Sequence, residues 1–309
     1  MFQKQLMMRR VLISLVPIFL FSLYLYGVRT LSVFAVTFVL GILTEYFIEK
    51  QRGKKVSEAV LVTCSLYAFS MPPAVPLWIV AVGIVFAVFM AKEVYGGFGR
   101  NVFNPAIAGR LFVYISFATI MQASFVPPGN FGLPMDAVTG PTPLALMRTG
   151  EHFSPLALLV GLRPGSIGES SSILIILAAV YLIATKTASW RIIASTFVSG
   201  AILAGALFFA GVKQALPMES LLAGSFLFVV VFMATDPVSA PKKNGAQWAY
   251  GAIIGSCIVL VRSFSLFPEG TSFGVFIGNT AACMLDDIAA KFKKKKEPVP
   301  VSVAKEGTK

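Results

Sequence analysis

Apolar runs close to the length of a membrane-crossing helix recur along most of this chain, and that recurrence limits its fold more than any single motif does. A helix needs ~20 residues to cross the hydrocarbon core. Candidate segments fall near 11–28, 31–48, 57–71, 75–91 and 106–126, then near 171–186, 189–211, 219–234, 247–263 and 271–290. The expected fold is all-α: a polytopic membrane protein of about ten transmembrane helices, five on each side of a long central connection. Only 13% of the residues are charged, against about 25% in a typical soluble domain. Lys4, Arg9 and Arg10 ahead of the first run resemble the start of a signal peptide. That run reaches Val28 with no small-residue cleavage site, so it reads as a retained helix.

The chain therefore divides into a first membrane half (1–126), a central loop (127–170), a second membrane half (171–290) and a basic tail (291–309). A formal net charge of +12 would suggest a nucleic-acid partner in a soluble protein, but here it reads as loop charge. With the N-terminus inside, 21 of the 26 basic residues fall on inner segments, Lys92, Arg100 and Arg110 among them. Arg29, Arg148, Arg163, Lys213 and Arg262 fall outside. The positive-inside bias places both termini in the cytoplasm and the 127–170 loop on the far side. No nucleic-acid partner is expected. Cys64, Cys257 and Cys283 are isolated and His152 is the only histidine, so neither a zinc nor an iron–sulfur ligand set is visible.

Each half holds an odd number of helices, so a duplicated unit would insert as an inverted repeat. The third segment of each half supports this, because Ser57–Thr63 runs into Ser70-Met-Pro-Pro73 while Glu219–Gly224 runs into Ala234-Thr-Asp-Pro-Val-Ser-Ala-Pro241. Glycine-rich breaks, Tyr95–Pro105 and Phe267–Gly274, precede the fifth segment of each half. Broken backbone at membrane depth is tolerated where it is buried in protein or lines a cavity, which makes these breaks the expected binding region. Close helix packing is the plainer reason for the same glycines and prolines. Ionisable residues in or beside spans are costly and often functional. Glu93, Asp236, Glu269 and Asp286 are the candidates for a cation path, with Glu58 and Asp287 nearby. Glu45, close to the end of its helix, is expected to reach the interface.

In the central loop the chain reads Asp136-Ala-Val-Thr139-Gly140-Pro141-Thr142-Pro143-Leu144, which on its own is a turn. The chain as a whole resembles the membrane subunit family that comprises the B subunit of the sodium-translocating NADH:quinone reductase (Nqr) and the D subunit of the Rnf complex. The resemblance runs through Ala91–Gly109, Gly165-Ser-Ile-Gly-Glu169, Ser189-Trp-Arg191, Met233–Ser239 and Pro268-Glu-Gly270, and covers the chain from the first helix to about Asp287.

In that family the pattern Asp-x-x-Ser/Thr-Gly-Ala-Thr carries FMN, joined through its phosphate to the last threonine by a separate flavin transferase. The resemblance implies Thr142 as the covalent FMN site, with Asp136, Thr139 and Gly140 completing the motif and Pro141 standing where alanine is usual. It associates Gly96 and Gly97 with a quinone site, and Asn101 and Asn104 beside them with quinone or a second, noncovalent flavin such as riboflavin. It also implies a location in the inner membrane of a bacterial or archaeal cell, Na+ or H+ as the transported ion, and further membrane and peripheral subunits that handle the electron donor. The short segment before the first helix looks like the Rnf type. Residue patterns alone leave two other readings open: a small-solute channel or transporter with five-plus-five architecture and no redox role, and a scaffold subunit.

Overall fold

The computed structural model describes residues 2–129, 142–148, 153, 158–159, 161, 164–169, 171–212, 216–265 and 269–296. Asp136, Thr139, Gly140 and Pro141 lie outside the described residues, as does His152.

The fold is almost wholly helical. A two-residue strand β1 (Phe2–Gln3) pairs in parallel with β2 (Val56–Ser57) and ties the start of the chain to the entry of the third helix. Helix α1 (Leu6–Tyr26) and helix α2 (Val28–Gln51) are joined at Gly27 alone, which turns the chain with φ 55°. The chain continues through α3 (Ala59–Phe69), α4 (Leu77–Val88) with a π-turn at Phe89–Glu93, α5 (Pro105–Ser116) and α6 (Ala118–Ala123). Helix α7 (Pro143–Arg148) lies in the central loop. The second half comprises α8 (Ser172–Ala184), α9 (Trp190–Phe209), α10 (Pro217–Leu222), α11 (Phe226–Phe232), α12 (Asn244–Phe264) and α13 (Thr271–Lys296).

Among the described residues, five helices are long and apolar enough to cross a membrane: α1, α2, α9, α12 and the Thr271–Phe292 part of α13. The other five expected segments are helical but shorter or interrupted. At about 1.5 Å per residue, α3 covers only some 17 Å, well short of a bilayer core of about 30 Å. It stops at Ser70 because Pro72 and Pro73 cannot supply the next helical donors. In the second half the same position is split into α10 and α11 by Ala223–Ser225, where Gly224 takes φ 67°.

These short segments are the core. Nearly every residue of α3 and α11 is buried, and a helix that is apolar all round belongs in the interior. They meet where Phe69 and Phe228 pack edge to face with ring centres 5.7 Å apart. The pairing of helices recurs between the halves: α2 packs on α3 and α4, α4 on α5, α3 on α1 and α5. Correspondingly, α9 packs on α10, α11 and α12, α12 on α13, and α11 on α8 and α13. Across the halves, α1 meets α8 and α5 meets α13.

Candidate functional site

The polar groups inside this helical core gather in a few places. The first is where α2, the entry to α3 and the π-turn meet. Lys92 forms an ion pair with Glu45 and donates to Ser57 Oγ at 2.8 Å. The Ser57 hydroxyl and amide in turn donate to Glu45 Oε1 at 2.6 and 2.8 Å. Lys92 and Glu45 expose only 2% and 1% of their side chains. Two expectations are corrected here. Glu45 is not exposed at the helix end but buried, held there by Lys92. Lys92 is not a loop charge.

Beside this triad, Glu93 accepts from Arg52 at 2.8 Å, and Arg52 also reaches Glu49 at 3.2 Å. Gly97 lies against that group, since a Cβ there would come within 2.5 Å of Glu49 Oε1. With φ of 106° and 90°, Gly96 and Gly97 occupy backbone that favours glycine. Both glycines are therefore explained by local shape.

A second place is an apolar cleft between the halves. Asn101, Asn104 and Asp236 line it together with Met8, Leu66 and Val231. Asn104 is the N-cap of α5: its Oδ1 accepts from the amides of Ala106 and Ile107, and its Nδ2 donates across the halves to the Met233 carbonyl at 3.3 Å. Asp236 accepts from the Ser239 hydroxyl at 2.7 Å and so closes the turn after α11. The cleft is narrow and mainly hydrophobic, with a few polar groups on its walls. Of the sequence-predicted residues it unites Asn101, Asn104 and Asp236. Gly96, Gly97, Glu269 and Asp286 are not among its lining. Asp286 accepts from the amides of Lys242 and Lys243, both at 2.9 Å, and anchors the start of α12.

The third place lies against helix α7. Arg110 on α5 pairs with Glu269 just before α13, a buried bridge between the halves. Arg110, expected on an inner loop, is thus an interior residue. Ser225, in the break between α10 and α11, shares a 2.7 Å hydrogen bond with Thr271, and Arg262 donates to the Ser220 carbonyl. Helix α7 sits against this region. Leu144 and Met147 are buried with Leu158, Leu222 and Ala223, and Arg148 donates to the carbonyls of Arg262 and Ser265 at 2.9 and 3.1 Å. A Cβ on Gly224 would stand 3.2 Å from Arg262 Nη2 and 3.5 Å from Leu144 Cδ2, so the break and α7 touch at that glycine.

Thr142 immediately precedes α7. Its Oγ1 accepts from the Ala145 amide at 3.3 Å, and its carbonyl accepts from Ala145 and Leu146. Thr142 thus acts as the N-cap, with Pro143 at the first helical position. The side chain is half-buried, and its oxygen is used here as an acceptor. An ester at that oxygen leaves lone pairs for the same role, so the residue suits attachment of a phosphoryl group.

A helical multi-pass membrane protein with interrupted central helices, buried ion pairs and a docked loop helix is the class these features define. The chain belongs to the NQR2, RnfD, RnfE family, whose model matches residues 2–295. It is 36% identical over 270 residues to the B subunit of the Na(+)-translocating NADH-quinone reductase of Azotobacter vinelandii, covering 83% of this chain and 66% of that one. The corresponding protein of Chromohalobacter salexigens is 36% identical over 269 residues, with coverage of 83% and 64%. That of Pseudoalteromonas atlantica is 36% identical over 283 residues, with coverage of 87% and 69%. The chain spans about two thirds of the length of these relatives.

Proposed function

We propose that this chain is the FMN-carrying membrane subunit of an Rnf- or Nqr-type ion-translocating oxidoreductase complex, with FMN joined to Thr142. The observation that carries the reading is the placement of Thr142 at the head of a helix docked on the broken third helix of the second half. A flavin there supplies a one- or two-electron carrier. The chain's own residues hold the attachment segment: Leu144 and Met147 bury its apolar face, and Arg148 ties its end to α12. The electron donor, the transported Na+ or H+, quinone, the flavin transferase and the remaining subunits belong to the same proposal. The reading does not make the chain catalytic alone. A second, noncovalent flavin such as riboflavin is part of the same proposal, with Asn101 and Asn104 as its candidate polar contacts.

The recurrent helix pairing supports ten crossings in two inverted five-helix repeats, with α10 and α11 together forming one interrupted crossing and α5 and α6 another. In that arrangement both termini are cytoplasmic and α7 lies outside. Removing Lys92 and Arg110 from the loop charges leaves 19 inner basic residues against the same five outer ones, of which Arg262 is itself buried, so the bias keeps its direction.

The test is in-gel fluorescence. Protein produced with a flavin transferase is expected to fluoresce at its own band on a denaturing gel, and Thr142→Ala is expected to lose all of that signal. A dark wild-type band would remove the flavin reading. Solute flux through vesicles holding only this chain would favour a transporter in its place.

A further inference from the structure

A groove at one end of the second half carries positive charge from two separate segments. Lys186 and Arg191 line it from the turn between α8 and α9, and Lys242 lines it from the segment leading into α12. The two walls are already fastened to each other: Ser189 donates to Gln247 Oε1 at 2.8 Å, and Gln247 Nε2 donates to the Pro241 carbonyl at 3.1 Å. A fourth cation approaches from the first half, where Arg10 donates to the Thr185 carbonyl at 2.8 Å.

Two carboxylates stand nearby, and each accepts from local backbone or hydroxyl groups instead of pairing with a groove cation. Asp286 accepts from the backbone of Lys242 and Lys243, and Asp236 closes its own turn with Ser239. Among the described residues, Lys186, Arg191 and Lys242 make no ion pair.

Lys186 carries a further sign. It is the one non-glycine residue with positive φ, 55°, among those described. It sits at the C-terminal turn of α8, where Thr187 and Ala188 bond back to the Leu182 carbonyl and glycine is the usual occupant. A long basic side chain is kept at a position whose backbone disfavours one.

The surroundings fix the depth of the groove. Trp190 and Trp248 are exposed and pack edge to face with ring centres 5.7 Å apart, and Arg191 lies over the Trp190 ring at 5.2 Å. Such tryptophans mark the boundary between lipid and water. Beyond them α8 presents Leu177 and Val180, both 60% exposed, as a surface for acyl chains.

We propose that this groove binds the phosphate headgroup of an anionic phospholipid, with Lys186, Arg191 and Lys242 around the phosphate and the acyl chains running along α8. A cationic recess directly above an exposed apolar helix matches a ligand that is anionic at one end and apolar at the other. The proposal does not depend on the flavin reading.

The test uses the assembled complex reconstituted in nanodiscs of phosphatidylcholine with added phosphatidylglycerol, extracted in mild detergent and read by native mass spectrometry. Wild type is expected to retain phosphatidylglycerol in preference to phosphatidylcholine. The variant Lys186→Gln, Arg191→Gln, Lys242→Gln is expected to bind it about 100-fold more weakly. The double variant Lys54→Gln, Lys55→Gln, altered on a different basic segment, is expected to retain it as wild type does.

Equal retention by the triple variant and wild type would overturn the proposal, provided their thermal midpoints agree. A triple variant that fails to assemble is replaced by the single changes, each expected to weaken retention in part, and wild-type retention by all three would also overturn it. Displacement of the lipid by inorganic phosphate alone would identify a free-anion site and contradict the lipid assignment. Wild type that retains no phosphatidylglycerol, while the triple variant sheds a neighbouring subunit, would give the groove to a protein partner.

Discussion

Helices α4 and α12 both end near a buried cation, and the two cations are held differently. Lys92, at the end of α4, is locked by the Glu45 carboxylate and the Ser57 hydroxyl at the entry of a continuous third helix. Arg262, at the end of α12, donates to the Ser220 carbonyl and lies over the Phe226 ring at 5.8 Å, across a third helix broken at Gly224. In the first half a charge triad closes the junction. In the second half the junction is opened by a glycine, and a loop helix is seated on it. The two junctions therefore differ in chemistry: in the half with the broken helix, α7, headed by Thr142, is seated on the break.

Removal of one partner from the closed junction has the largest expected effect. Lys92→Met leaves Glu45 buried without its cation and is expected to cost about 3–5 kcal/mol, whereas adding Glu45→Gln recovers most of the loss. The thermal midpoint of the purified protein in detergent reads both. If the single and double variants were equally destabilised, the ion pair would not be what closes this junction.

Arg262→Leu is expected to cost less, about 1.5–3 kcal/mol, because the main loss is a hydrogen bond from a charged donor to a backbone carbonyl. It also disturbs the end of α12 on which Arg148 rests, so protease cleavage near α7 is expected to accelerate. A larger loss than for Lys92→Met would reverse the comparison.

Gly224→Ala is the mildest change. An alanine at φ 67° carries a backbone cost of roughly 1–2 kcal/mol. Its methyl also enters ordinary contact with Leu144, 3.5 Å from the Cβ position, and presses on Arg262. Faster cleavage at α7, with a fall in global stability of the size the backbone cost sets, is the expected pattern. Gly53→Ala serves as its control, with a similar φ of 68° and nothing within 4 Å of the added carbon.

Much of this is legible in the sequence where the signal is local. Prolines at Pro72 and Pro73 and the Ala234–Pro241 string mark where the third helices stop, and apolar run length places a helix in every expected segment. Interior pairing is less visible. Glu45 reads as an interface residue because its partner Lys92 lies 47 positions away. Arg110 counts with the loop charges for the same reason, since Glu269 comes from the other half. Gly96 and Gly97 are recognisable as a special pair, but their positive φ and the Glu49 carboxylate against Gly97 come from the fold. Asn104 carries a local signal, an Asn-Pro sequence at a helix start, from which the capping role can be read directly. Asp136, Thr139 and Gly140 lie outside the described residues, so the motif rests on Thr142 and the helix it caps.

The central claim is that Thr142 is the residue bearing FMN. Peptide mapping by mass spectrometry of protein made with a flavin transferase tests it most directly. The expected result is one FMN-modified peptide whose fragment ions place the phosphoester on Thr142 and not on Thr139. Attachment at another residue, or an unmodified Thr142 peptide from protein that assembles and transfers electrons normally, would contradict the account.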